Sequence, residues 1–247
     1  MTHHHFYCTT INPNNNKVII TEKKEVHHLW SVLRFKKGEE ISVFNGNGLE
    51  GLGVITSASK DAIEIKILSF SNTKPHQPLF AIACAVPKRS KFETIIEKCT
   101  ELGIDEIIPL QTIRTEIRGH LGSSGHRNKR YQDIAINASK QCCRAILPKI
   151  HSLTTFSDAL NQVSADDLAL IGCLKGKPKK FPDLNLTEAK EKKRIIVFIG
   201  PEGDFTDEEI ENALQKGCVP ITLGPNTLKV ETAAISSIAY LMLYLRS

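Results

Sequence analysis

The chain has 247 residues, of which 41% are hydrophobic and 24% are charged, and its formal net charge is +5. This composition is typical of a soluble globular protein with one large domain or two small ones. It excludes a membrane span, because no window holds the roughly 18 uncharged apolar residues that a spanning helix needs. The first ten residues lack the apolar core of a signal peptide, so we expect a cytoplasmic protein. Seven cysteines without CxxC spacing argue against a disulfide framework or a zinc ribbon, and we expect no metal site.

The first seventy residues are predicted to be rich in β-structure. Strand-like runs lie at 17–21, 39–44, 52–56 and 62–69. A short helix is predicted at 24–34, where Val26, Leu29 and Leu33 have helical spacing. Several short strands with one short helix favour a small barrel. A linker that contains two prolines follows at 72–78.

The segment 46–51, GNGLEG, matches the dinucleotide-binding fingerprint letter for letter. That fingerprint functions only when a helix N-terminus follows it and receives the phosphate. Here a predicted strand follows at once. The glycines are therefore interpreted as a hairpin turn, and we expect no dinucleotide site.

After the linker the pattern becomes that of an α/β domain with a parallel sheet. Strands are predicted at 80–86, 104–110, 195–199 and 219–223, and helices at 90–102, 131–143, 206–217 and 231–245. Ser90 with Glu93, and Thr206 with Glu209, are predicted capping boxes. The last helix is apolar nearly all round, which indicates burial in the core or against a second copy of the chain. We predict a homodimer held by Ile235, Ile238, Leu241, Met242 and Leu245.

The charge is unevenly distributed. Residues 111–150 contain eight Lys or Arg and two acids, and residues 175–194 contain eight basic residues and three acids. The segment 195–247 has three basic and seven acidic residues. Basic sections in a nearly neutral chain suit a polyanionic partner such as nucleic acid, although an ordinary solvated face would look the same.

Two loops that combine glycine with proline, 199–205 and 223–233, follow the ends of two strands that we predict to be neighbours. At that edge of an open parallel sheet, ligands bind. Rigid loops of this kind bring backbone N–H and C=O groups close to a ligand, although two structural turns would have the same composition.

The motifs Ile199-Gly200-Pro201-Glu202-Gly203, Leu223-Gly224-Pro225 and Leu228–Ala233 resemble the cofactor-binding signature of the RsmE-type ribosomal RNA uridine-N3 methyltransferases, of the SPOUT superfamily. Further similarity lies in His28-Leu29, Val32–Arg34 and Gly38, in 88–106, in Arg114 and in 141–144. Each motif is weak alone, but the set in this order is specific and covers nearly the whole chain.

The resemblance implies a fold and a function. It implies a PUA-like β-barrel that binds RNA at 1–72 and a SPOUT-type α/β catalytic domain with a C-terminal trefoil knot at 73–247. It implies a homodimer that uses S-adenosylmethionine to methylate N3 of a uridine in 16S ribosomal RNA, free or in the small ribosomal subunit. The implied cofactor-binding residues are Leu174, Ile199, Gly200, Pro201, Glu202, Gly203, Leu223, Gly224, Leu228, Thr232 and Ala233. The implied RNA-binding residues are Arg34, Lys88, Arg89, Arg114, Arg118, Gln141 and Arg144.

The sequence departs from the family pattern at several positions. Asp204 stands where the family usually has a second glycine, and Asn226 and Thr227 replace an arginine and an aliphatic residue. Lys229 replaces an arginine and Val230 a threonine, and lysine cannot make the planar bidentate contacts of arginine. These departures indicate a divergent subgroup rather than a lost activity, because the glycines, Glu202, Glu231 and Thr232 remain.

Uracil N3 carries a proton and is a poor nucleophile until that proton leaves, so a cation or a base close to it would help. Arg114, Arg144 and Lys229 are candidates for the cation, and Glu202 or Glu231 for the base; Arg114, Glu231 and Lys229 are the predicted catalytic residues. Either carboxylate could instead only cap a helix or hold a loop. Two other classes stay open: a non-catalytic RNA-binding protein with the same fold, and an RNA enzyme of different chemistry, such as a pseudouridine synthase.

Overall fold

A computed structural model of the chain describes residues 4–87, 91–115, 125–174 and 178–246. The chain forms two compact units. The first comprises Met1–Pro75 and Ile136–Leu147, and the second comprises His76–Ala135 and Pro148–Ser247. The assignment of 1–72 to RNA binding and of 73–247 to catalysis remains a prediction.

Within the described residues, the first unit is built on one five-stranded sheet in the order β1-β3-β4-β5-β2. Its strands are β1 (His5–Tyr7), β2 (Lys17–Ile20), β3 (Glu40–Phe44), β4 (Leu49–Ala58) and β5 (Ile63–Asn72). β1 pairs with β3 in parallel and the other pairs are antiparallel. The strand predicted at 62–69 is present as β5, and it has an inner and an outer face, because Ile63, Ile65 and Ile67 are buried while Lys66 is exposed.

The segment after β3 is a hairpin turn, as predicted. β3 and β4 are antiparallel neighbours, and Gly46 and Gly48 between them have φ of 81° and 98°. A Cβ at Gly48 would also collide with the carbonyl oxygen of Thr73. The turn therefore requires glycine, and no helix N-terminus follows that could receive a phosphate.

The predicted helix at 24–34 is an α-helix that continues as a π-helix. α1 covers Lys23–His27, and the π-helical turn covers His28–Val32. The N–H of Leu33 donates to the carbonyl of His28 over 2.9 Å, an i to i+5 bond, and Arg34 follows with a φ of 57°. Leu29 is fully buried in the core of this unit, which fixes the inner face of the segment.

The second unit contains an eight-stranded sheet in the order β11-β13-β10-β12-β6-β7-β8, with β9 also paired to β7. The strands are β6 (Leu79–Ala85), β7 (Glu106–Gln111), β8 (Lys149–Ile150), β9 (Thr154–Thr155), β10 (Asp167–Gly172), β11 (Lys179–Lys180), β12 (Arg194–Ile199) and β13 (Val219–Thr222). All these pairings are parallel, which confirms the predicted sheet type. The prediction that the strands before the two glycine loops are neighbours was wrong, because β10 lies between β12 and β13.

The remaining helices are α2 (Lys91–Glu101), α3 (Gly125–Gln141), α4 (Phe156–Asn161), α5 (Leu186–Ala189), α6 (Asp207–Gln215) and α7 (Val230–Leu245), with a 3-10 turn at Phe181–Asp183. The capping box of Thr206 and Glu209 is present, while Ser90 lies outside the described residues. Gly103, with φ 93°, ends α2 as predicted. The helix predicted at 131–143 begins earlier and ends at Gln141. Among the described helices, none has the length and apolar character required to cross a membrane.

The apolar surface of α7 is largely used within the chain. Ile238 and Leu241 are fully buried in the core, and Ile235, Met242 and Leu245 are half-buried and pack against it. These five side chains therefore pack within one copy of the chain, and their part in a dimer remains a prediction. The helix is apolar nearly all round because it packs against α2, β6 and β12 together.

Candidate cofactor and RNA sites

A cleft lies in the second unit where three parallel strands end. The residues that line it come from the ends of β10, β12 and β13 and from the start of α7. They are Gly172, Cys173, Leu174, Ile199, Gly200, Pro201, Glu202, Asp204, Ile221, Thr222, Leu223, Gly224, Asn226, Thr227, Leu228, Val230 and Ala233. The carboxyl edge of an open parallel sheet is the usual position of a ligand site, and this cleft combines apolar walls with backbone polar groups.

Most of the predicted cofactor-binding residues meet in this cleft. Those that line it are Leu174, Ile199, Gly200, Pro201, Glu202, Leu223, Gly224, Leu228 and Ala233. Gly203 and Thr232 belong to the same loops but are not among the lining residues. Sequence reasoning missed the contribution of Gly172 and Cys173, because it did not predict β10.

Asp204 ties the loop after β12 to the end of β10. Its Oδ2 accepts a hydrogen bond from the N–H of Leu174 at 3.1 Å, and its Oδ1 accepts one from the N–H of Phe205 at 2.8 Å. The φ of Asp204 is 60°, a left-handed conformation that glycine adopts freely and that Asp tolerates better than most residues. The position therefore suits the family's usual glycine, and the aspartate adds a bond between two walls of the cleft.

The Arg114 side chain binds the other side of the same loop. Its Nη1 donates to the carbonyl oxygen of Gly203 over 2.6 Å and to that of Phe205 over 3.3 Å. The turn that carries Arg114 is held in place by Glu209, whose Oε1 accepts the N–H of Ile113 at 3.0 Å. Arg114, predicted from sequence as a catalytic and RNA-binding residue, thus contacts one of the glycine loops directly.

A lysine between two carboxylates lies beside the cleft. The Nζ of Lys91 lies 3.7 Å from Glu202 Oε1 and 3.7 Å from Glu231 Oε2. That oxygen of Glu231 is buried and has no hydrogen-bond partner among the described residues. Burial above all, then Cys99 and the carboxylates of Glu202 and Glu231, raise the pKa of Cys84 well above its ordinary value, so this thiol stays protonated.

The second predicted catalytic cation is placed differently. Lys229 is exposed and immediately precedes α7, where its carbonyl accepts the N–H of Ala233. Among the described residues, the ion-pair partner of Glu202 and Glu231 is Lys91 and not Lys229. Lys91, the cation that lies beside both carboxylates, was not singled out by sequence reasoning.

The predicted RNA-binding residues fall in both units. Arg34, Gln141 and Arg144 belong to the first unit and Arg114 to the second, while Lys88, Arg89 and Arg118 lie outside the described residues. Arg144 follows Cys143, whose φ is 55°, and its N–H donates to the Ser139 carbonyl at 3.0 Å. The backbone of Arg144 therefore closes the C-terminus of α3, which leaves the predicted RNA contact to its side chain.

A larger groove, of about 890 Å³, is bordered by α4, α6 and the end of β7. Amide and hydroxyl side chains dominate its lining, with Gln111, Asn161 and Asn212 among them. The smaller cleft is the better cofactor candidate, because its lining residues come from the ends of three strands and carry the family motifs.

Comparison with known proteins supports both halves of this description. A family model described as an RNA methyltransferase domain matches residues 75–242, and one described as an RNA methyltransferase PUA domain matches residues 20–68. The ribosomal RNA small subunit methyltransferase E of Bacillus subtilis is 30% identical over 88% of this chain and 88% of its own length. Its namesake from Synechocystis is 31% identical over 90% of this chain and 72% of its own length.

Solved structures give the same result. A ribosomal RNA small subunit methyltransferase E from Neisseria gonorrhoeae bound to S-adenosylmethionine has a TM-score of 0.87 and 26% identity, covering 98% of both chains. A protein from Thermotoga maritima that is described as a predicted RNA methyltransferase has a TM-score of 0.71 and 27% identity, covering 98% of this chain and 99% of its own. Fold and cleft together define an RNA methyltransferase with an accessory PUA domain. The chain belongs to the ribosomal RNA small subunit methyltransferase E family.

Proposed function

We propose that this protein methylates N3 of a uridine in 16S ribosomal RNA with S-adenosylmethionine as methyl donor. The observation that carries the proposal is the three-strand cleft, which gathers nine of the eleven residues expected from the family signature. The test is to incubate small ribosomal subunits, and separately free 16S RNA, that lack the modification with the protein and labelled S-adenosylmethionine. Digestion to nucleosides should yield labelled 3-methyluridine.

A different labelled nucleoside would contradict the chemistry proposed. Binding of RNA without binding of the cofactor would support the alternative of a non-catalytic RNA-binding protein. Calorimetric titration with S-adenosylmethionine separates these outcomes, because it measures the cofactor site without RNA.

The residues of the cleft fit this cofactor. Leu174, Leu228 and Ala233 offer apolar surface suited to an adenine ring, and the loop backbones at Gly200 and Gly224 offer N–H and C=O groups to its polar edge. When bound, S-adenosylmethionine supplies the sulfonium methyl group that is transferred. The chain's own residues then have to orient the uracil, exclude water and accept the N3 proton.

We assign the proton-accepting role to Glu231. Its buried Oε2 is free to accept a hydrogen bond, since the Nζ of Lys91, 3.7 Å away, lies beyond hydrogen-bond distance. Glu202 also contacts Lys91, but its side chain is 49% exposed and is therefore more accessible to solvent than that of Glu231. Arg114 acts as a positioning residue, because it holds the loop that contains Glu202.

The test of this role is Glu231→Gln. General base catalysis typically contributes 10²- to 10⁴-fold, so the methylation rate constant should fall by about that factor while affinity for S-adenosylmethionine is kept. The defect should shrink as pH rises, because solvent hydroxide then removes the N3 proton. A pH-independent defect, or one matched by Glu202→Gln, would remove Glu231 from this role.

We propose in addition that the protein is a homodimer whose contact includes the exposed end of α7. Leu243 and Tyr244 are 72% and 52% exposed, and the rings of Tyr240 and Tyr244 are stacked 6.1 Å apart. Light scattering should give twice the chain mass at micromolar concentration, and Leu243→Glu should lower it. A monomeric wild-type protein would contradict the proposal.

The finer features of the fold are also proposals: closure of the N-terminal sheet into a barrel, and a trefoil knot in the C-terminal part. In support of the knot, the chain passes from β13, at one side of the sheet, back to α7, which packs against α2, β6 and β12. A crystal structure tests for the knot. When the two chain termini are extended outward, the path of the backbone must form a trefoil.

A further inference from the structure

The segment formed by α1 and the π-helical turn exposes an aromatic side chain on its outer face. Trp30, the one tryptophan of the sequence, is 42% exposed, and Val32 is 58% exposed. Leu29 between the two turns is fully buried. The inner face of the segment therefore packs in the core, whereas Trp30 lies on the surface. An exposed apolar patch commonly marks a binding site.

Basic residues flank this tryptophan along the chain. Lys23 and Arg34 are exposed, and Lys36 and Lys37 follow on the exposed chain beyond. Exposed acids occur only at the edges of this stretch, at Glu22 and at 39–40. The exposed stretch on both sides of Trp30 therefore carries an excess of basic side chains.

The one acid inside the helix does not oppose this charge. Glu25 is buried, and both of its carboxylate oxygens accept hydrogen bonds of 2.8 Å from the Nζ of Lys140. The same pair fixes the C-terminal end of α3 beside α1. It leaves Gln141, a predicted RNA contact, exposed at the next position.

The backbone of the segment is also uncommon. A π-helical turn and a non-glycine residue at positive φ, here Arg34 at 57°, are both found preferentially at functional sites. The π-helical turn widens the helix between His28 and Val32, and Trp30 is its central residue.

We propose that the outer face of Lys23–Arg34 binds single-stranded RNA, with the Trp30 indole stacked on an unpaired base and the flanking basic side chains on the phosphates. Stacking needs a base that is not paired within a helix, which favours a single strand over a duplex. This inference rests on the proposed function, and it deepens it by naming where and how the first unit engages the substrate.

The experiment uses the full chain and the intrinsic fluorescence of its one tryptophan. Titration with a short single-stranded RNA of mixed sequence should quench Trp30, whereas a duplex of the same length should quench it weakly. Binding by each variant is measured by the anisotropy of a dye-labelled copy of the same single strand: Trp30→Ala should weaken it by roughly 5- to 100-fold, and Trp30→Phe should restore most of it. The matched control is Leu68→Ala, since Leu68 is an exposed apolar residue (58%) on β5 of the same unit and should bind RNA normally.

Single-stranded RNA that binds equally well to wild type and Trp30→Ala, without quenching, would overturn the proposal. Quenching by purified small-subunit proteins but not by RNA would assign the surface to a protein partner and overturn it too. Affinity for S-adenosylmethionine should be the same in all variants. If the protein failed to methylate RNA yet showed the quenching, the proposed function would fall while this inference stood.

Discussion

The contact of Arg114 with the loop after β12 gives a quantitative prediction. Arg114→Ala removes the 2.6 Å and 3.3 Å bonds to the carbonyl oxygens of Gly203 and Phe205. A hydrogen bond from a charged donor contributes about 1.5–3 kcal/mol when it is shielded from water. The Arg114 side chain is exposed, so we take about 1–1.5 kcal/mol for ordering the loop.

If the ordered loop is the state that binds S-adenosylmethionine, that loss lowers affinity by roughly 5- to 13-fold. Calorimetric titration of the folded variant measures it directly. Arg114→Lys should recover little, because the planar guanidinium fixes the direction in which Nη1 donates to both carbonyls, whereas the ammonium of lysine is a compact point charge on a flexible stem. Arg127→Ala is the matched control, since Arg127 is an exposed arginine of the same unit on α3.

Unchanged cofactor affinity in Arg114→Ala, together with a large loss of methylation, would refute this argument. That result would return Arg114 to the roles expected from sequence, a contact to RNA and a cation close to uracil N3. Equal losses of cofactor affinity and of methylation activity in Arg114→Ala would support a role for Arg114 in ordering the loop.

Three further predictions concern the loop, the stability and its pH dependence. Asp204→Ala should weaken S-adenosylmethionine binding more than Asp204→Gly, as measured by calorimetry, because alanine loses the carboxylate and also resists the φ of 60°. Lys140→Met should lower the free energy of unfolding in urea by about 3 kcal/mol, because it leaves the Glu25 carboxylate buried without its cation, and Glu25→Gln in that background should recover part of the loss. The contact with His151, whose Nε2 lies 3.4 Å from Glu106 Oε2, lowers the pKa of Glu106 below its ordinary value of 4.5, so this contribution to stability is complete above about pH 4.5 and is lost as pH falls through the lowered pKa. Glu106→Gln should therefore flatten the acid limb of a stability profile measured by denaturation, and an unchanged limb would count against it.

Local signals allowed much of the fold to be predicted from sequence. The capping box of Thr206 and Glu209 and the glycine stop at Gly103 are encoded within a few residues, and both are present as expected. The order of strands depends instead on pairing between distant segments. β10 is a short apolar run without strong flanking signals, so both its existence and its place between β12 and β13 were missed.

The site was predictable in its motifs but not in its contacts. Arg114 and Gly203 are far apart in sequence, and no spacing rule connects them. Lys91 did have a usable signal: a cation in the first turn of α2 opposes the helix dipole and so calls for a carboxylate partner elsewhere. Glu202 and Glu231 are those partners.

The position of the cleft has a consequence for biosynthesis. Its walls come from 172–174, 199–204 and 221–233, so every wall belongs to the last third of the chain. During translation, domains form roughly in the order in which they are made. The RNA-binding surface proposed around Trp30 can thus exist on a nascent chain well before β13 and α7 complete the cofactor cleft. A growing chain that is arrested before α7 is expected to bind RNA but not S-adenosylmethionine. Binding of the RNA substrate would then precede methylation in time.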